Sequence, residues 1–365
     1  FHMQEAFGQL VLDIGPTAQY ARHSEGDFIR LPSGELLFAY TRFFSQNGDE
    51  APSAIVVTRS TDEGRTWSAP REVISASCYE ARNVMSVSLL PLRGGEVGMF
   101  YIVKQAPWYT RILLARSSDG FETFRDTECT LPDRRGWFVL NNQRVERLAS
   151  GRLMVPLAYH RTGMDESSGQ VFFDSCACAC FLYSDDDGAT FQEAPQVVHP
   201  PFGGTRAGLQ EPGILQKKNG DLWAYFRTDR MYQYEAFSFD EGLSWTTPQP
   251  SRFTSPLSPM KLARRPDTGE LYAFWNPVPA YPGRPTHAGA AWTGGRTPLV
   301  YAVSRDEGAT FTEPIALEAS PDRGYCYPAV FFTADQAMLV AYCAGGEADQ
   351  SCLARLRMQR VALCE

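Results

Sequence analysis

One hairpin places a glutamate and an arginine at the same end of two neighbouring strands. Glu211 heads an apolar run that stops at the Asn219-Gly220 turn, and Arg227 closes the returning strand. A strand, an Asn-Gly turn and a second strand predict an antiparallel hairpin, so the two side chains should face each other across it. The pair can be a structural salt bridge, or the carboxylate can serve as a general base beside an anion-binding guanidinium.

A second arginine is placed where burial would be costly. Arg30 stands between apolar neighbours in Phe28–Pro32, just before a predicted turn. A charged side chain in that setting needs an anionic partner. Arg30 therefore predicts either an ion pair or a bound anionic ligand.

These residues lie on elements that recur along the chain. Strand–turn–strand segments rich in Leu, Val and aromatic residues return every 50 to 70 residues or so, a spacing typical of propellers and solenoids. The six copies cover residues 28–40, 87–101, 144–157, 208–228, 260–275 and 328–342. They account for the whole length of the chain.

A second motif, Ser-x-Asp-x-Gly-x-Thr/Ser-aromatic, falls between these copies. It occurs at 60–67, 184–191, 238–245 and 304–311, and a degenerate copy at 117–124 has Phe121 at the glycine position. Ser and Asp side chains can bond backbone groups of a tight turn in which Gly takes a positive φ. Both motifs together give about four strands per repeat, which is the blade of a propeller. The sequence predicts an all-β, six-bladed β-propeller forming a single domain over residues 1–365, with its site where strand ends converge.

The octapeptides resemble the Asp-box of sialidases, and the chain resembles the sialidase (neuraminidase) superfamily over essentially its full length, most nearly the bacterial BNR-repeat branch. Phe28–Pro32 resembles that family's Arg-Ile-Pro motif, and Arg227 and Arg296 have the spacing of its second and third arginines. The resemblance implies a retaining exo-α-sialidase in which Arg30, Arg227 and Arg296 bind the carboxylate of a terminal sialic acid.

The resemblance also implies a tyrosine nucleophile, which is Tyr325 at the matching position. Tyr327 lies two residues on and is the alternative, since strand alternation puts both on one face. A neutral phenol can approach an anomeric carbon that bears a carboxylate, but with a pKa of about 10 it needs a base, for which Glu211 is the candidate. Asp49 is the implied general acid, and Glu50 is the reserve in the same loop.

Several further polar residues could line the mouth as substrate contacts. The first strand of each blade, here called the inner strand, is expected to line the central axis of the ring. Asn142 and Arg144 stand at the head of the third inner strand, and Tyr327 would join them if it is not the nucleophile. Each of these side chains could equally be a packing residue. They are expected to be secondary contacts with a sialoglycan or another acidic-sugar glycoside.

Composition limits the kinds of molecule that the protein could bind. The net charge of −8 argues against a general binder of nucleic acid or acidic membranes, and no run approaches the roughly 18 apolar residues of a membrane span. The Cys176-x-Cys178-x-Cys180 strand lacks a turn to enclose an ion, so packed thiols are expected there and no metal. No cofactor is implied, and nine cysteines without an evident framework favour the cytoplasm, unless a signal peptide has been removed.

Two other functions fit the same motifs. One is a related propeller enzyme that hydrolyses or eliminates another acidic sugar, such as a uronic acid, with the arginines kept. The other is a glycan-binding propeller without catalysis, because Asp-boxes also occur in such proteins.

Overall fold

The computed structural model describes residues 8–363 except positions 132, 134 and 279–291, and strands dominate it. Six sheets, each with at least four antiparallel strands, follow one another along the chain as blades. The predicted six-bladed propeller is therefore confirmed. Within the described ranges the helices are short 3-10 segments, Ala76–Tyr79, Arg93–Gly95 and Glu347–Asp349, and no helix there is long and apolar enough to cross a membrane.

The strands are numbered along the chain and grouped by blade. After β1 (Gly8–Ile14), the first blade holds β2 (Tyr20–Arg30), β3 (Leu36–Phe44), β4 (Ser53–Ser60) and β5 (Arg71–Ser75). The second holds β6 (Asn83–Pro91), β7 (Val97–Ala106), β8 (Tyr109–Ser117) and β9 (Arg125–Glu128). The third holds β10 (Trp137–Val139), β11 (Glu146–Arg147), β12 (Leu153–His160), a separate hairpin of β13 (Thr162–Met164) and β14 (Val171–Phe173), β15 (Cys178–Ser184) and β16 (Gln192–Glu193).

The other three blades are regular. The fourth holds β17 (Gln210–Gln216), β18 (Leu222–Arg227), β19 (Tyr232–Ser238) and β20 (Gln249–Thr254). The fifth holds β21 (Lys261–Arg264), β22 (Leu271–Trp275), β23 (Leu299–Ser304) and β24 (Ile315–Glu318). The sixth holds β25 (Cys326–Phe332), β26 (Ala337–Cys343) and β27 (Leu356–Ala362), and β1 pairs with β27 as its fourth strand. The ring is therefore closed by strands from both ends of the chain.

The core is divided among the interfaces between consecutive blades. Ile29 and Ile55 of the first blade pack with Met99 of the second, and the same kind of apolar cluster lies at each later interface. The last cluster joins Phe28 to Leu339 of the sixth blade. The middle strands of each sheet are buried on both faces and are mostly apolar, as the repeats predicted, whereas outer strands such as β9 are largely exposed.

The Ser-x-Asp octapeptides form the turns between the third and fourth strands of five blades. In the first, Asp62 accepts bonds from the Thr66 amide and hydroxyl at 2.9 and 2.6 Å, and Ser60 Oγ accepts from the Gly64 amide at 2.9 Å. The degenerate copy keeps this pattern, because Phe121 adopts φ +67° and its amide bonds Ser117. These turns lie at the opposite end of the ring from the beginnings of the inner strands.

Candidate functional site

A cavity of about 630 Å³ opens where the inner strands begin. Glu211, Arg227, Arg296 and Tyr327 line it together with Asp49. These residues come from the first, fourth, fifth and sixth blades, so only ring closure brings them together. Strands position Glu211, Arg227 and Tyr327, whereas Asp49 and Arg296 lie in loops that lead into strands of their blades. This cavity is the candidate active site.

The hairpin of β17 and β18 forms the centre of the site. Gln210 pairs with Arg227 in register, and Glu211 Oε1 accepts a hydrogen bond from Arg227 Nη1 at 2.8 Å. The same Glu211 oxygen accepts the Tyr327 hydroxyl at 2.8 Å, and Arg227 Nη1 lies 3.3 Å from that hydroxyl. Glu211 Oε2 and Arg227 Nε are buried without a hydrogen-bond partner. The predicted Glu211–Arg227 contact is thus present, and each of the two side chains keeps one buried polar atom without a hydrogen-bond partner.

Four inner strands use the same backbone device to reach the cavity. Glu25, Ser86, Glu211 and Tyr327 each adopt φ between +47° and +64°. Each lies at a register shift between the first two strands of its blade. A bulge interrupts strand alternation and redirects one side chain. All four of these side chains line the cavity.

Tyr327, rather than Tyr325, faces the site. Tyr325 is fully buried in the cluster between the fifth and sixth blades, with its ring 6.1 Å from that of Tyr342. The expected position of Tyr325 was wrong because the bulge at Tyr327 breaks the alternation that would have put both on one face. Burial, the largest cause, and the negative charge of Glu211, the second, raise the pKa of the Tyr327 phenol well above its usual value. The phenol is therefore neutral at physiological pH.

Arg30 does not reach the cavity, and this expectation was also wrong. It lies at the far end of β2, where its guanidinium forms two bonds to Glu63, at 2.9 and 2.8 Å, in the first Asp-box turn. The inner strands begin at the cavity, so a residue just before the hairpin turn lies at the opposite end of the ring. Arg22 occupies the beginning of β2 instead, roughly 26 Å away by strand length.

Sequence reasoning missed Arg22 and Glu25. Arg22 is buried and stacks 4.3 Å from the centre of the Phe43 ring. It donates to Glu25 Oε2 at 2.7 Å and to Asp49 Oδ1 at 2.5 Å. Their position in the sequence could have identified them, because Arg22 and Glu25 stand near the beginning of their inner strand, as Glu211 and Tyr327 do in theirs. Glu25 lines the cavity, and burial raises the pKa of its carboxyl although Arg22 opposes that shift.

Asp49 lies on the cavity rim, with 61% of its side chain exposed. Desolvation opposes its ionisation, but the charges of Arg22 and Lys104 outweigh it and lower the pKa of Asp49 to about 2. Glu50 also lines the cavity, 3.4 Å from Lys104 Nζ. The structure therefore brings both carboxylates of this loop to the site.

Arg296 lines the cavity from the fifth blade. Its guanidinium carbon lies 5.8 Å from the centre of the Tyr327 ring, and Nη1 donates to Cys326 Sγ at 3.1 Å. Burial opposes ionisation of the Cys326 thiol, but neighbouring Cys343 and Cys352 together with Arg296 lower its pKa well below the usual value. Arg82 and Lys104 line the cavity as well, and both contact Glu50, at 3.5 and 3.4 Å. Arg227 and Arg296 are the two arginines of the wall that lie next to Tyr327.

Two predicted contacts, Asn142 and Arg144, are buried beside the site and hold the framework. Asn142 Nδ2 donates to the Gly26 carbonyl at 2.9 Å and to the Tyr327 carbonyl at 3.3 Å. Arg144 donates to the Tyr225 hydroxyl and the Met260 carbonyl. Neither side chain lines the cavity. Asn142 instead fixes the backbone that carries Tyr327.

Another part of the cavity wall is aromatic and comes from the third blade. His160 Nδ1 lies 3.0 Å from the Asp174 carbonyl, and its ring stacks on Phe173 at 5.1 Å. Trp137 meets Phe173 edge-on. Burial lowers the pKa of His160, which favours the neutral ring. A carbonyl only accepts, so Nδ1 carries the proton and Nε2 is left as an acceptor.

The cysteine strand differs in part from expectation. Cys180 is buried, but Cys176 and Cys178 are partly exposed, and Cys178 Sγ lies 3.1 Å from His199 Nδ1. In the described part of the chain no group of three or more His, Cys, Asp or Glu side chains could hold a metal ion.

The arrangement can carry out acid–base and nucleophilic chemistry on an anionic ligand. A neutral phenol is hydrogen-bonded to a carboxylate that can take its proton, a second carboxylate stands at the rim, and the guanidinium groups of Arg227 and Arg296 line the same cavity next to the phenol. These are the parts needed to break a glycosidic bond next to an anionic group.

Comparison with known proteins places the chain among the sialidase-like propellers. The sequence model of the BNR repeat-like domain matches residues 75–340, more than half of the chain. No curated protein matches this chain. A protein of unknown function from Dyadobacter fermentans superposes with a TM-score of 0.70 at 16% identity, covering 98% of this chain and 99% of that one.

Sialidases of solved structure share the same architecture. NanB sialidase from Streptococcus pneumoniae has a TM-score of 0.68 at 12% identity, with 97% of this chain and 70% of that chain covered. Trypanosoma rangeli sialidase, solved with sialic acid, has a TM-score of 0.70 at 13% identity, with 99% and 60% covered. At these identities the likeness shows the fold, and the family match shows the lineage. The chain belongs to the BNR repeat-like domain family.

Proposed function

We propose that the protein is a retaining, exo-α-sialidase-like glycoside hydrolase that releases a terminal acidic sugar. The observation that carries this proposal is the contact of the Tyr327 hydroxyl with Glu211 at 2.8 Å beside Arg227. A structural salt bridge would not need a phenol on the same carboxylate oxygen at the floor of a cavity. The sialidase-like fold supports the substrate class.

In the first step, Tyr327 Oη bonds to the anomeric carbon and gives its proton to Glu211. The glycosidic C–O bond breaks, and the leaving oxygen takes a proton from Asp49. In the second step, water attacks the same carbon and gives a proton back to Asp49, while the Tyr327 oxygen leaves and recovers its proton from Glu211. Two displacements retain the anomeric configuration.

Arg227 and Arg296 would bind the carboxylate of the sugar. Both guanidinium groups line the cavity next to Tyr327, and charge-assisted hydrogen bonds to a carboxylate are short and strong. The carboxylate would then lie beside the reacting carbon, where a neutral nucleophile is required. The raised pKa of Tyr327 keeps the phenol neutral until Glu211 accepts its proton.

The test uses 4-nitrophenyl α-glycosides of N-acetylneuraminic acid and of uronic acids, with NMR of the first anomer released. Tyr327→Phe and Glu211→Gln should each lower kcat on the sialoside by at least about 100-fold, the usual contribution of a positioned base or nucleophile. The matched control is Tyr325→Phe, which removes a hydroxyl two residues away and outside the cavity. It should keep kcat within about twofold of wild type.

Each alternative gives a different result. Release of the inverted anomer, or full activity in Tyr327→Phe, contradicts the tyrosine mechanism. Cleavage of uronosides but of no sialoside supports the alternative of a related propeller enzyme that acts on a uronic acid. Binding of sugar acids without turnover of any glycoside supports a glycan-binding propeller.

A further inference from the structure

Arg22 is held by the protein and turned away from the ligand space. A guanidinium has five N–H donors, and four hydrogen bonds of Arg22 go to its neighbours. Nε donates to Ser24 Oγ, Nη1 to the Asn47 carbonyl and to Asp49, and Nη2 to Glu25. The side chain is 1% exposed and does not line the cavity.

Glu25 stands between Arg22 and the cavity. Its Oε2 accepts Arg22 Nη2 at 2.7 Å and Ser24 Oγ at 3.1 Å, and its Oε1 accepts Ser86 Oγ at 3.2 Å. A carboxylate has about four acceptor positions, so Oε1 can accept one more donor. Glu25 is held in the left-handed region, at φ +59°, by the bulge of β2. The first blade therefore presents an acceptor to the cavity rather than a cation.

The fourth and fifth blades present the opposite polarity. Arg227 and Arg296 both line the cavity, and the buried Nε of Arg227 has no hydrogen-bond partner. Glu211 Oε2, on a residue 8% exposed, is also unpartnered. The cavity thus has an acceptor at Glu25 on the first blade and guanidinium groups at Arg227 and Arg296 on the fourth and fifth. Glu211 is a further acceptor beside Arg227, and Arg82 and Lys104 are further cations of the lining, both in contact with Glu50.

We infer that Glu25 is a specificity-determining residue that accepts a hydrogen bond from a hydroxyl or ammonium group of the sugar, whose carboxylate is held by Arg227 and Arg296. This inference rests on the proposed function, since it concerns the same acidic sugar. Glu25 would repel a second anionic group at its position, and it would disfavour a ring acid with no donor there. Arg22 is then a positioning residue that fixes Glu25 and Asp49.

A purely structural role for Glu25 makes a different prediction. If Glu25 only neutralised Arg22, its loss would weaken every ligand alike by disturbing the floor. If Glu25 faces the ligand, its loss would remove an acceptor for the sugar and expose the charge of Arg22. Affinity for a plain carboxylate would then rise while the preference for hydroxyl groups falls.

The experiment measures dissociation constants by ligand-observed NMR on the full chain. The probes are N-acetylneuraminic acid and glucuronic acid, which carry hydroxyl groups, and cyclohexanecarboxylate, a ring acid without them. Wild type should prefer the better sugar acid over cyclohexanecarboxylate. In Glu25→Ala that preference should fall about tenfold, the size expected for one hydrogen bond to a charged acceptor. Glu25→Gln keeps a neutral acceptor and should show a fall of at least about threefold.

The control is Glu63→Gln, which breaks the Arg30–Glu63 ion pair at the other end of β2, outside the cavity. It should leave the preference unchanged. An equal loss of affinity for sugar acid and cyclohexanecarboxylate in both folded Glu25 variants would overturn the inference and leave the proposed function intact. Failure of both sugar acids to bind wild type would overturn the proposed function, and with it the inference.

Discussion

Acidification should accelerate the cleavage of alkyl glycosides far more than that of aryl glycosides. Asp49 acts as an acid only when protonated, and with a pKa of about 2 its protonated fraction is about 1 in 10³ at pH 5 and about 1 in 10⁵ at pH 7. Since kcat/KM reports the ionisation of the free enzyme, it should fall about tenfold per pH unit for a leaving group that needs a proton. A 4-nitrophenolate leaves without that proton, so its kcat/KM should lack this slope.

The assay compares 4-nitrophenyl α-sialoside with 3′-sialyllactose between pH 5 and pH 8. Asp49→Asn should remove most of kcat/KM on sialyllactose while sparing kcat/KM on the nitrophenyl substrate, whose first step needs no acid. It should also abolish the difference in slope. Profiles of equal slope for the two substrates, or a flat profile for sialyllactose from pH 5 to pH 7, would refute the assignment of Asp49 as the acid in this electrostatic setting. A sialyllactose limb that bends near pH 6 would instead indicate an acid with a higher pKa.

Three further predictions concern stability, each measured by urea unfolding. Gly208→Ala should cost about 3 kcal/mol or more, because Gly208 has φ +67° and a Cβ would lie 2.2 Å from the Ala177 carbonyl oxygen; a loss below 1 kcal/mol would contradict it. Asp27→Ala should cost about 2–6 kcal/mol, since the buried carboxylate accepts three N–H groups at 2.6 to 2.7 Å, and an unchanged midpoint would disprove that role. Burial, aided by the charge of Arg42, lowers the pKa of His23 from 6.5 to about 4. As the pH falls, the imidazole is therefore protonated in the unfolded chain before it is protonated in the folded protein. About 3 kcal/mol of the free energy of unfolding should be lost between pH 6.5 and pH 4. His23→Phe should remove that part of the pH dependence, and an identical curve for the variant would contradict the reasoning.

The repeats predicted the architecture because they report local physics. Hairpin strands buried on both faces must be apolar, and the turns at Ser60 and its counterparts need Ser, Asp and Gly at fixed offsets. The Glu211–Arg227 contact followed because a short hairpin brings both residues to one end of the blade. Its loop spans residues 218–220 and is closed by the Lys217 amide on the Asp221 carbonyl, so it is one residue longer than a two-residue Asn-Gly turn. Features determined within one blade could thus be inferred from the sequence.

The remaining site residues depend on bulges and on the direction of strands around the ring. Period-two alternation put Tyr325 and Tyr327 on one face, but the bulge between Cys326 and Ala329 sends them apart. The polar run around Glu25 has a loop-like composition, although it is a buried part of β2. No local pattern distinguishes Arg30 from Arg22 as the arginine nearer the site, because the choice depends on which end of the ring holds the cavity.

The bulges explain why the site could be built on such a rigid scaffold. In a regular inner strand, side chains point into the apolar space between blades, and an ionisable group there would carry a large desolvation cost. At Glu25, Ser86, Glu211 and Tyr327 the backbone adopts a conformation that costs roughly 1–3 kcal/mol at each residue, and each side chain turns toward the cavity instead. Packing between six blades is extensive enough to hold those conformations. The reactive groups are therefore positioned by strained points in rigid strands, so the Tyr327–Glu211 contact can exist before any ligand binds.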